Sequence, residues 1–307
     1  TREVAVRAAV SNSFGFGGSY AVLLFTVPQA FAAASPSGAR QVFVSASGSI
    51  GPLGAQGTLG ARRYLEQGPP PPAGEVPFEA EAHLDLTRAR RIDRAGRMSA
   101  AAMKIALDGA GVTLSSMNGQ RRAGAVLGAA FGAVDACSAF VHRIYEKGPR
   151  FASPAVFPNL LPSSPVAHAS IYHGLRGPVF ASADLDASCE GAIVTAAELI
   201  AAGEADLMLA GGVEQVSEIA KMVLGPLWAR GDSRAERSEG TVVLLLESGD
   251  SLAARGGTPL ALVSWTASWR GAADPILADL SPPRGRAVSL VTRDDARSRA
   301  ILARSGW

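Results

Sequence analysis

Runs typical of strands alternate with runs typical of helices from residue 88 to residue 258, and this alternation limits the fold more than any other feature of the sequence. The predicted helices include RIDRAGRMSAAAMKIALDGAG at 91–111, ACSAFVHRIYEKG at 136–148 and EGAIVTAAELIAAGEAD at 190–206. The predicted strands include AGAVLG at 123–128, GPVFASADL at 177–185, LMLAGG at 207–212 and EGTVVLLLES at 239–248. Because helices between strands pack on the faces of a sheet, the pattern predicts an α/β fold with a covered sheet.

The chain divides into four regions by composition. Residues 1–27 hold two strand-like runs separated by a glycine-rich bend, and residues 28–40, rich in Ala, Ser and Pro, are predicted to be a linker. Residues 41–258 form the predicted α/β domain, which a proline-rich loop interrupts at 68–74. Residues 259–307 add two further strand-like runs and a short final helix.

Charge and hydropathy exclude two classes of function. The formal net charge is +2, which is too small to indicate a nucleic-acid-binding protein. No apolar run approaches the ~18 residues needed to span a bilayer. Only 18% of the residues are charged whereas 48% are hydrophobic, which predicts that a partner protein covers part of the surface.

Neither the cysteines nor the glycine-rich bend indicates a bound group. Cys137 and Cys189 have no disulfide or metal-site spacing, so we expect a cytoplasmic protein without a metal. The bend FGFGGS lacks the G-x-G-x-x-G spacing and the strand-to-helix setting of a nucleotide site. We therefore expect no cofactor.

Six short stretches of the domain carry a family resemblance. They are RRIDR at 90–94, GAAFGAVD at 128–135, EKGPRFASP at 146–154, HGLRGP at 173–178, GEADLMLAGGVE at 203–214 and EGTVVLLLES at 239–248. In this order and at these spacings they resemble the β-ketoacyl synthases, the decarboxylating condensing enzymes of fatty acid and polyketide synthesis. The resemblance implies a thiolase-like fold whose N-terminal half is retained from residue 41 to about residue 270 and whose C-terminal half is severely truncated.

The resemblance also locates the position of the nucleophile. In ketosynthases a catalytic cysteine lies at a fixed distance after the GP pair and before the GEAD-like turn. Counting forward from Pro178 and counting backward from Gly203 both lead to Asp186, and Cys189 falls three residues later, in the first turn of a helix. A carboxylate with an ordinary pKa of about 3.9 is a weak acyl acceptor at neutral pH, and aspartate is a common helix cap. We therefore expect no intact nucleophile, because Asp186 occupies the position of the catalytic cysteine and Cys189 is displaced from it.

The histidines give the same expectation independently. Ketosynthases use two histidines from the second half of the fold to drive decarboxylation and to stabilise the enolate and the oxyanion. This chain has four, which are His83, His142, His168 and His173, and none follows the strand that leads to Asp186. The resemblance therefore implies that all three positions of the catalytic triad are lost and that the chain is inactive alone.

The beginning of the chain resembles the end of a ketosynthase. SNSFGFGGSYAVLLF at 11–25 is similar to the final hairpin of the family, in which the position of Phe16 supplies an oxyanion-hole N–H and that of Phe14 belongs to the adjacent gate. Two explanations stay open. The segment is the tail of an upstream active ketosynthase joined through residues 28–40, or it is a permuted strand that completes this fold in cis.

An inactive ketosynthase-like chain resembles the chain-length factors of type II polyketide synthases. These pair with an active ketosynthase and shape its acyl tunnel, so the resemblance implies a heterodimer that works with an acyl carrier protein. The residues at the positions that border the partner's acyl pocket are Phe131, Val134, Ser138 and His142. Two departures stand out, because chain-length factors usually carry glutamine where Asp186 lies and because the second half is short, as in proteins of polyene-type pathways.

Other functions remain open on sequence alone. The chain is alternatively a decarboxylase of malonyl-carrier protein with Asp186 as general base, or an active condensing enzyme that uses Cys189. A third alternative is a purely structural scaffold of a synthase complex, in which the helix bearing Val134 only joins two subunits.

Overall fold

The computed structural model describes residues 8–14, 20–26, 38–67, 74–114, 122–228 and 238–263. The strands are β1 (Ala8–Phe14), β2 (Tyr20–Thr26), β3 (Val42–Gly51), β4 (Gly54–Gly57), β5 (Ala123–Gly128), β6 (Val179–Ser182), β7 (Leu207–Glu214), β8 (Gly240–Ser248) and β9 (Ala261–Val263). The helices are α1 (Thr58–Gln67), α2 (Leu86–Ala89), α3 (Arg94–Ala110), α4 (Val134–Lys147), α5 (Ser164–His173), α6 (Ser188–Ala201), α7 (Glu218–Trp228) and α8 (Gly249–Ala254). No helix in these ranges is long and apolar enough to cross a bilayer.

Strands β3 to β9 form one mixed sheet. Its order is β4-β3-β8-β7-β5-β6, and β9 pairs with β3 along the edge opposite β8. Strand β5 is parallel to its neighbours β6 and β7, while β7, β8, β3 and β4 pair in antiparallel fashion. A register shift between Val44 and Ala46 marks a bulge in β3. The predicted α/β class is confirmed, and β6 lies at one edge of the sheet.

Helices α3 and α5 cover one face of the sheet. Helix α3 is rich in alanine because it lies very close to β3: a Cβ atom on Gly48 would be 2.1 Å from the carbonyl oxygen of Ala102. Asp93 caps the start of α3 by accepting a hydrogen bond from the Gly96 N–H at 2.9 Å, and Gly111 ends it with a φ of 66°. Small residues thus allow a helix and a strand to meet backbone to backbone.

Helix α6 covers the opposite face. Its residues Ala192, Ala196 and Ile200 recur every four positions and are fully buried. They pack with Val126 of β5 and Met208 of β7, whereas the neighbouring side chains of those strands face α3. Both faces of the sheet are therefore covered, as the sequence predicts.

Strand β8 has a buried carboxylate at each end. Glu239, just before the strand, pairs with Arg94 at 2.5 Å, and Glu247, near its end, pairs with Arg255 at 2.5 Å. Arg255 also donates a hydrogen bond to the carbonyl of Ala110 at 2.8 Å, so it joins β8 to the end of α3. Arg94 belongs to the RRIDR stretch, and this part of the family resemblance therefore reflects a structural ion pair.

The ends of several predicted elements are shifted. The strand predicted at 177–185 is limited to Val179–Ser182, because the next residues turn into α6. The helix predicted at 190–206 begins at Ser188 and ends at Ala201, two residues before Gly203, whose φ is 81°. Helix α7 is absent from the prediction; Pro226 within it interrupts the helical pattern.

The N-terminal segment is an antiparallel hairpin. Strands β1 and β2 form a two-stranded sheet of their own, with Ala8 opposite Thr26 and Phe14 opposite Tyr20. The predicted glycine-rich bend between them lies outside the described residues. So do most of the predicted linker at 28–40 and all of the region after Val263.

Candidate functional site

A tight turn between β6 and α6 holds Asp186, the residue predicted to occupy the position of the nucleophile. Leu185 in this turn has a φ of 47° and is the non-glycine residue with a positive φ in the described part of the chain. A bulky residue in this conformation is strained, and such strain is concentrated at functional sites. The hydroxyl of Ser188 holds the turn, because it accepts a hydrogen bond from the Asp184 N–H at 2.8 Å and lies 2.7 Å from the Leu185 carbonyl oxygen.

Asp186 occupies the centre of this turn. Its backbone lies in the 3₁₀ turn Leu185–Ala187, between the end of β6 and the start of α6. The N-cap of α6 is Ala187, which makes no side-chain cap. The N-cap position is thus one residue after Asp186, and the capping role expected of Asp186 stays a prediction. The side chain of Asp186 lies outside the described part of the structure.

Cys189 lies in the first turn of α6 and faces the sheet. A Cβ atom on Gly212 of β7 would be only 3.2 Å from its Sγ atom, so the thiol packs directly on the strand. Burial, and secondarily the charge of Glu190, raise the pKa of Cys189 to about 11. Because the thiolate and not the thiol is the nucleophile, this environment opposes acyl transfer through Cys189.

A glycine at the end of β5 lets the first turn of α6 sit on the sheet. A Cβ atom on Gly128 would lie 2.1 Å from the carbonyl oxygen of Ser188 and 2.7 Å from the nitrogen of Cys189. No side chain fits into that space. This close contact thus fixes the distance between the first turn of α6 and the ends of β5 and β7.

A second turn, between β5 and α4, holds Phe131. The carboxylate of Glu214, at the end of β7, accepts hydrogen bonds from the backbone N–H groups of Ala130 at 2.7 Å, Phe131 at 3.2 Å and Gly132 at 3.2 Å. Gly132 has a φ of 57°, which a glycine adopts without strain. Sequence analysis missed Glu214, although a carboxylate that ends the apolar strand LMLAGGVE is a detectable signal.

Helix α4 carries the other three residues predicted to border the acyl pocket. Val134 is its first residue, and Ser138 and His142 follow at four-residue intervals, so the structure places the three on one helix face. Ser138 is exposed, and His142, 72% exposed, pairs with Glu146 at 3.1 Å. None of the 14 residues of α4 is buried.

Comparison with known proteins gives the family. The profile of the β-ketoacyl synthase N-terminal domain matches residues 73–227, which is half of the chain. The chain belongs to the β-ketoacyl synthase family. Its relatives include nodulation protein E from Rhizobium sp. (strain N33), which is 29% identical over 233 residues. They also include 3-oxoacyl-[acyl-carrier-protein] synthase 2 from Staphylococcus aureus, which is 32% identical over 143 residues.

The alignments cover part of each ketosynthase relative. The first spans 70% of this chain and 54% of the nodulation protein, and the second spans 46% of this chain and 35% of the synthase. The chain therefore spans about half the length of the first curated relative.

Solved structures share the ketosynthase fold. A type II polyketide synthase acyl-carrier protein in complex with its ketosynthase matches with a TM-score of 0.62 at 21% identity, over 74% of this chain and 68% of that one. The ishigamide ketosynthase/chain length factor matches with a TM-score of 0.61 at 23% identity, over 73% of this chain and 62% of that one. The predicted thiolase-like fold is confirmed.

Two histidines of this ketosynthase-like chain lie on the face of the sheet opposite α6. They are His168 and His173 of α5, and burial lowers the pKa of each. His173 contacts the carbonyl oxygen of Ala100 at 2.8 Å, and His83 stacks on Phe78. In the described ranges no group of three or more His, Cys, Asp or Glu side chains is placed to hold a metal ion.

The two phenylalanines predicted for the oxyanion hole and its gate belong to the N-terminal segment at 11–25. Phe14 is the last residue of β1, of which the backbone alone is described, and Phe16 lies outside the described residues. The structure brings Phe131 and Val134 together at the start of α4 and places Asp186 in the turn before α6.

Proposed function

We propose that the chain is a non-catalytic ketosynthase-like subunit, a chain-length factor, that pairs with an active β-ketoacyl synthase in type II polyketide biosynthesis. The observation that carries the proposal is the turn before α6. The strained Leu185 and the Ser188 hydrogen bonds form a nucleophile-type turn, yet the position inside it carries Asp186. The thiol of Cys189 is half-buried and packs on Gly212 of the sheet, and its raised pKa of about 11 keeps it protonated at neutral pH.

Two surfaces support pairing with a second chain. Helix α4 has no buried residue, and its side chains Val141 and Tyr145 are 48% and 86% exposed, so it offers apolar surface that a partner can cover. Strand β6 ends the sheet, and Phe180 in its middle is 41% exposed. An edge without charge or proline is a template for another strand. The fold is shared with the ishigamide ketosynthase/chain length factor, which supports a pairing of these two kinds of subunit.

The face of α4 is the part of the subunit that we assign to chain-length control. Val134 is a small apolar side chain at the start of the helix, and Ser138 and His142 continue the same face outward. In a heterodimer across α4 this face borders the acyl pocket of the active partner. A solved complex of an acyl-carrier protein with its ketosynthase supports carrier-bound chains as the substrate of the pair.

The test is the product of a reconstituted pair. The chain is co-expressed with an active type II β-ketoacyl synthase and an acyl carrier protein, and the carrier-bound products are sized by mass spectrometry. We expect Val134→Phe to shorten the products, because the ring fills the end of the pocket. The added volume costs ~1–3 kcal/mol at a packed interface, so the heterodimer is measured by sedimentation in parallel.

The matched control is Arg143→Phe. Arg143 is exposed and lies nine residues after Val134, on the opposite side of α4, so the same ring there leaves the pocket unchanged. An unchanged length distribution from an intact Val134→Phe heterodimer leaves the chain as a scaffold and contradicts the proposal.

A further inference from the structure

Glu214 connects the end of β7 to the turn that follows β5 and precedes α4. It ends β7, and its carboxylate accepts three hydrogen bonds from consecutive backbone N–H groups of the turn at 130–132, at 2.7, 3.2 and 3.2 Å. Consecutive N–H groups that point to one anion form a nest, and hydrogen bonds to a charged acceptor are stronger than neutral ones. This contact crosses more than 80 positions of sequence.

Helix α4 begins directly after that turn and has no cap of its own. Its N-cap is Ala133, which offers no side-chain acceptor. The first turn of α4 is attached to a neighbour once more, because Asp135 accepts a hydrogen bond from the Ile219 N–H of α7 at 3.1 Å. Two carboxylates thus set the direction of α4. Glu214 holds the turn that precedes the helix, and Asp135, the residue after Val134, attaches its first turn to α7.

A small cleft borders the same turn. It is lined by Phe131, Glu214, Ser217, Ala220 and Lys221 among others. Because this space adjoins the turn, a turn released from Glu214 has room to move instead of being held by close packing.

We propose that Glu214 is a positioning residue for chain-length control: by fixing the turn at 130–132 it fixes the direction of α4 and the reach of Val134 into the partner's acyl pocket. This inference rests on the proposed function. Glu214 itself touches neither substrate nor partner in this account. Its effect passes through the backbone of the turn and the first residue of α4.

The experiment compares Glu214→Ala and Glu214→Gln with Glu218→Ala in the full chain paired with its ketosynthase. Glu218 is an exposed residue of α7 whose carboxylate pairs with Lys221, and it serves as the control. The first measurement is hydrogen exchange of the amides at 130–132. We expect exchange to be about tenfold faster in Glu214→Ala and intermediate in Glu214→Gln, which keeps one acceptor oxygen. Glu218→Ala is expected to leave it unchanged.

The second measurement is the length distribution of the products. We expect Glu214→Ala to broaden it while the heterodimer stays intact, and Glu214→Gln, the variant less prone to unfold, to broaden it partly. Unchanged amide exchange overturns the inference. So does faster exchange with unchanged lengths when Val134→Phe still shortens the products. If neither Val134→Phe nor Glu214→Ala changes the lengths, the proposed function fails and the inference fails with it.

Discussion

Asp186 lies just before the start of α6 and Cys189 lies just after it, and the two positions have different surroundings. Leu185, in the turn around Asp186, is 63% exposed, so the turn lies at the surface of the described structure. Cys189 is instead turned toward Gly212, where a carbon atom on the glycine would touch its sulfur. Between positions 186 and 189 the surroundings therefore change from an exposed turn to a close contact with the sheet.

The reactivity of Cys189 follows from that contact. With a pKa of about 11, roughly one molecule in 10⁴ carries the thiolate at pH 7. We expect iodoacetamide to label Cys189 far more slowly than Cys137 in the folded protein, with a rate that rises about tenfold per pH unit between pH 7 and pH 10. Peptide mass spectrometry resolves the two sites. An acyl adduct from a thioester donor that disappears in Cys189→Ser would contradict this prediction.

At the scale of elements, close contacts between helices and strands depend on glycine. Gly48 of β3 lies under α3, and an added Cβ atom would meet the Ala102 carbonyl oxygen at 2.1 Å and the Ala106 nitrogen at 2.8 Å. Both atoms belong to the helix backbone, so no rotation of a side chain relieves the clash. The whole helix must move.

Gly48→Ala is expected to destabilise the protein by at least the ~1–3 kcal/mol typical of overpacked cores. The matched control is Gly51→Ala in the same strand, because an added Cβ atom there meets nothing within 4 Å. Urea unfolding followed by circular dichroism gives both free energies of unfolding. Equal midpoints for the two variants would show that α3 does not lie against β3 as described.

Helices α3, α4 and α6 and strands β5, β7 and β8 were predictable from periodic or continuous apolar runs, whereas α7 was not, because Pro226 interrupts its pattern. Helix α6 repeats alanine every four residues, and the strand LMLAGG is a continuous apolar run. The contact of Glu214 with the turn at 130–132 was not predictable, because it joins positions 82 to 84 apart and has no local pattern. The positive φ of Leu185 was not predictable either, because leucine rarely adopts this conformation and no local pattern marks it.

At the scale of the whole molecule, the sheet formed by the described strands has two unlike edges. Strand β6 forms one of them, with Phe180 exposed, and at the other β4 and β9 lie along β3, where Leu262 is 49% exposed. If the first edge pairs with the ketosynthase, a charge there separates the subunits without unfolding either of them.

Phe180→Glu is therefore expected to weaken the heterodimer at least tenfold, whereas Leu262→Glu, at the opposite edge, leaves its dissociation constant unchanged. Analytical ultracentrifugation measures both, with circular dichroism as the check that each variant is folded. Equal affinities for the two variants would place the partner on a different surface, and a monodisperse wild-type monomer in the presence of the ketosynthase would argue against pairing at all.

The position of β3 in the sheet has a consequence for how the chain folds. Val42, near the beginning of the domain, pairs with Ser248 and Val263, which are translated some 200 residues later. Until they emerge from the ribosome, the hairpin with β4 is the pairing that β3 can make among the described strands. Contacts of such long range slow folding, because the loop between them must close first. The nascent domain therefore spends most of its synthesis with β3 unpaired along one edge, which is when it is most exposed to aggregation and most dependent on chaperones.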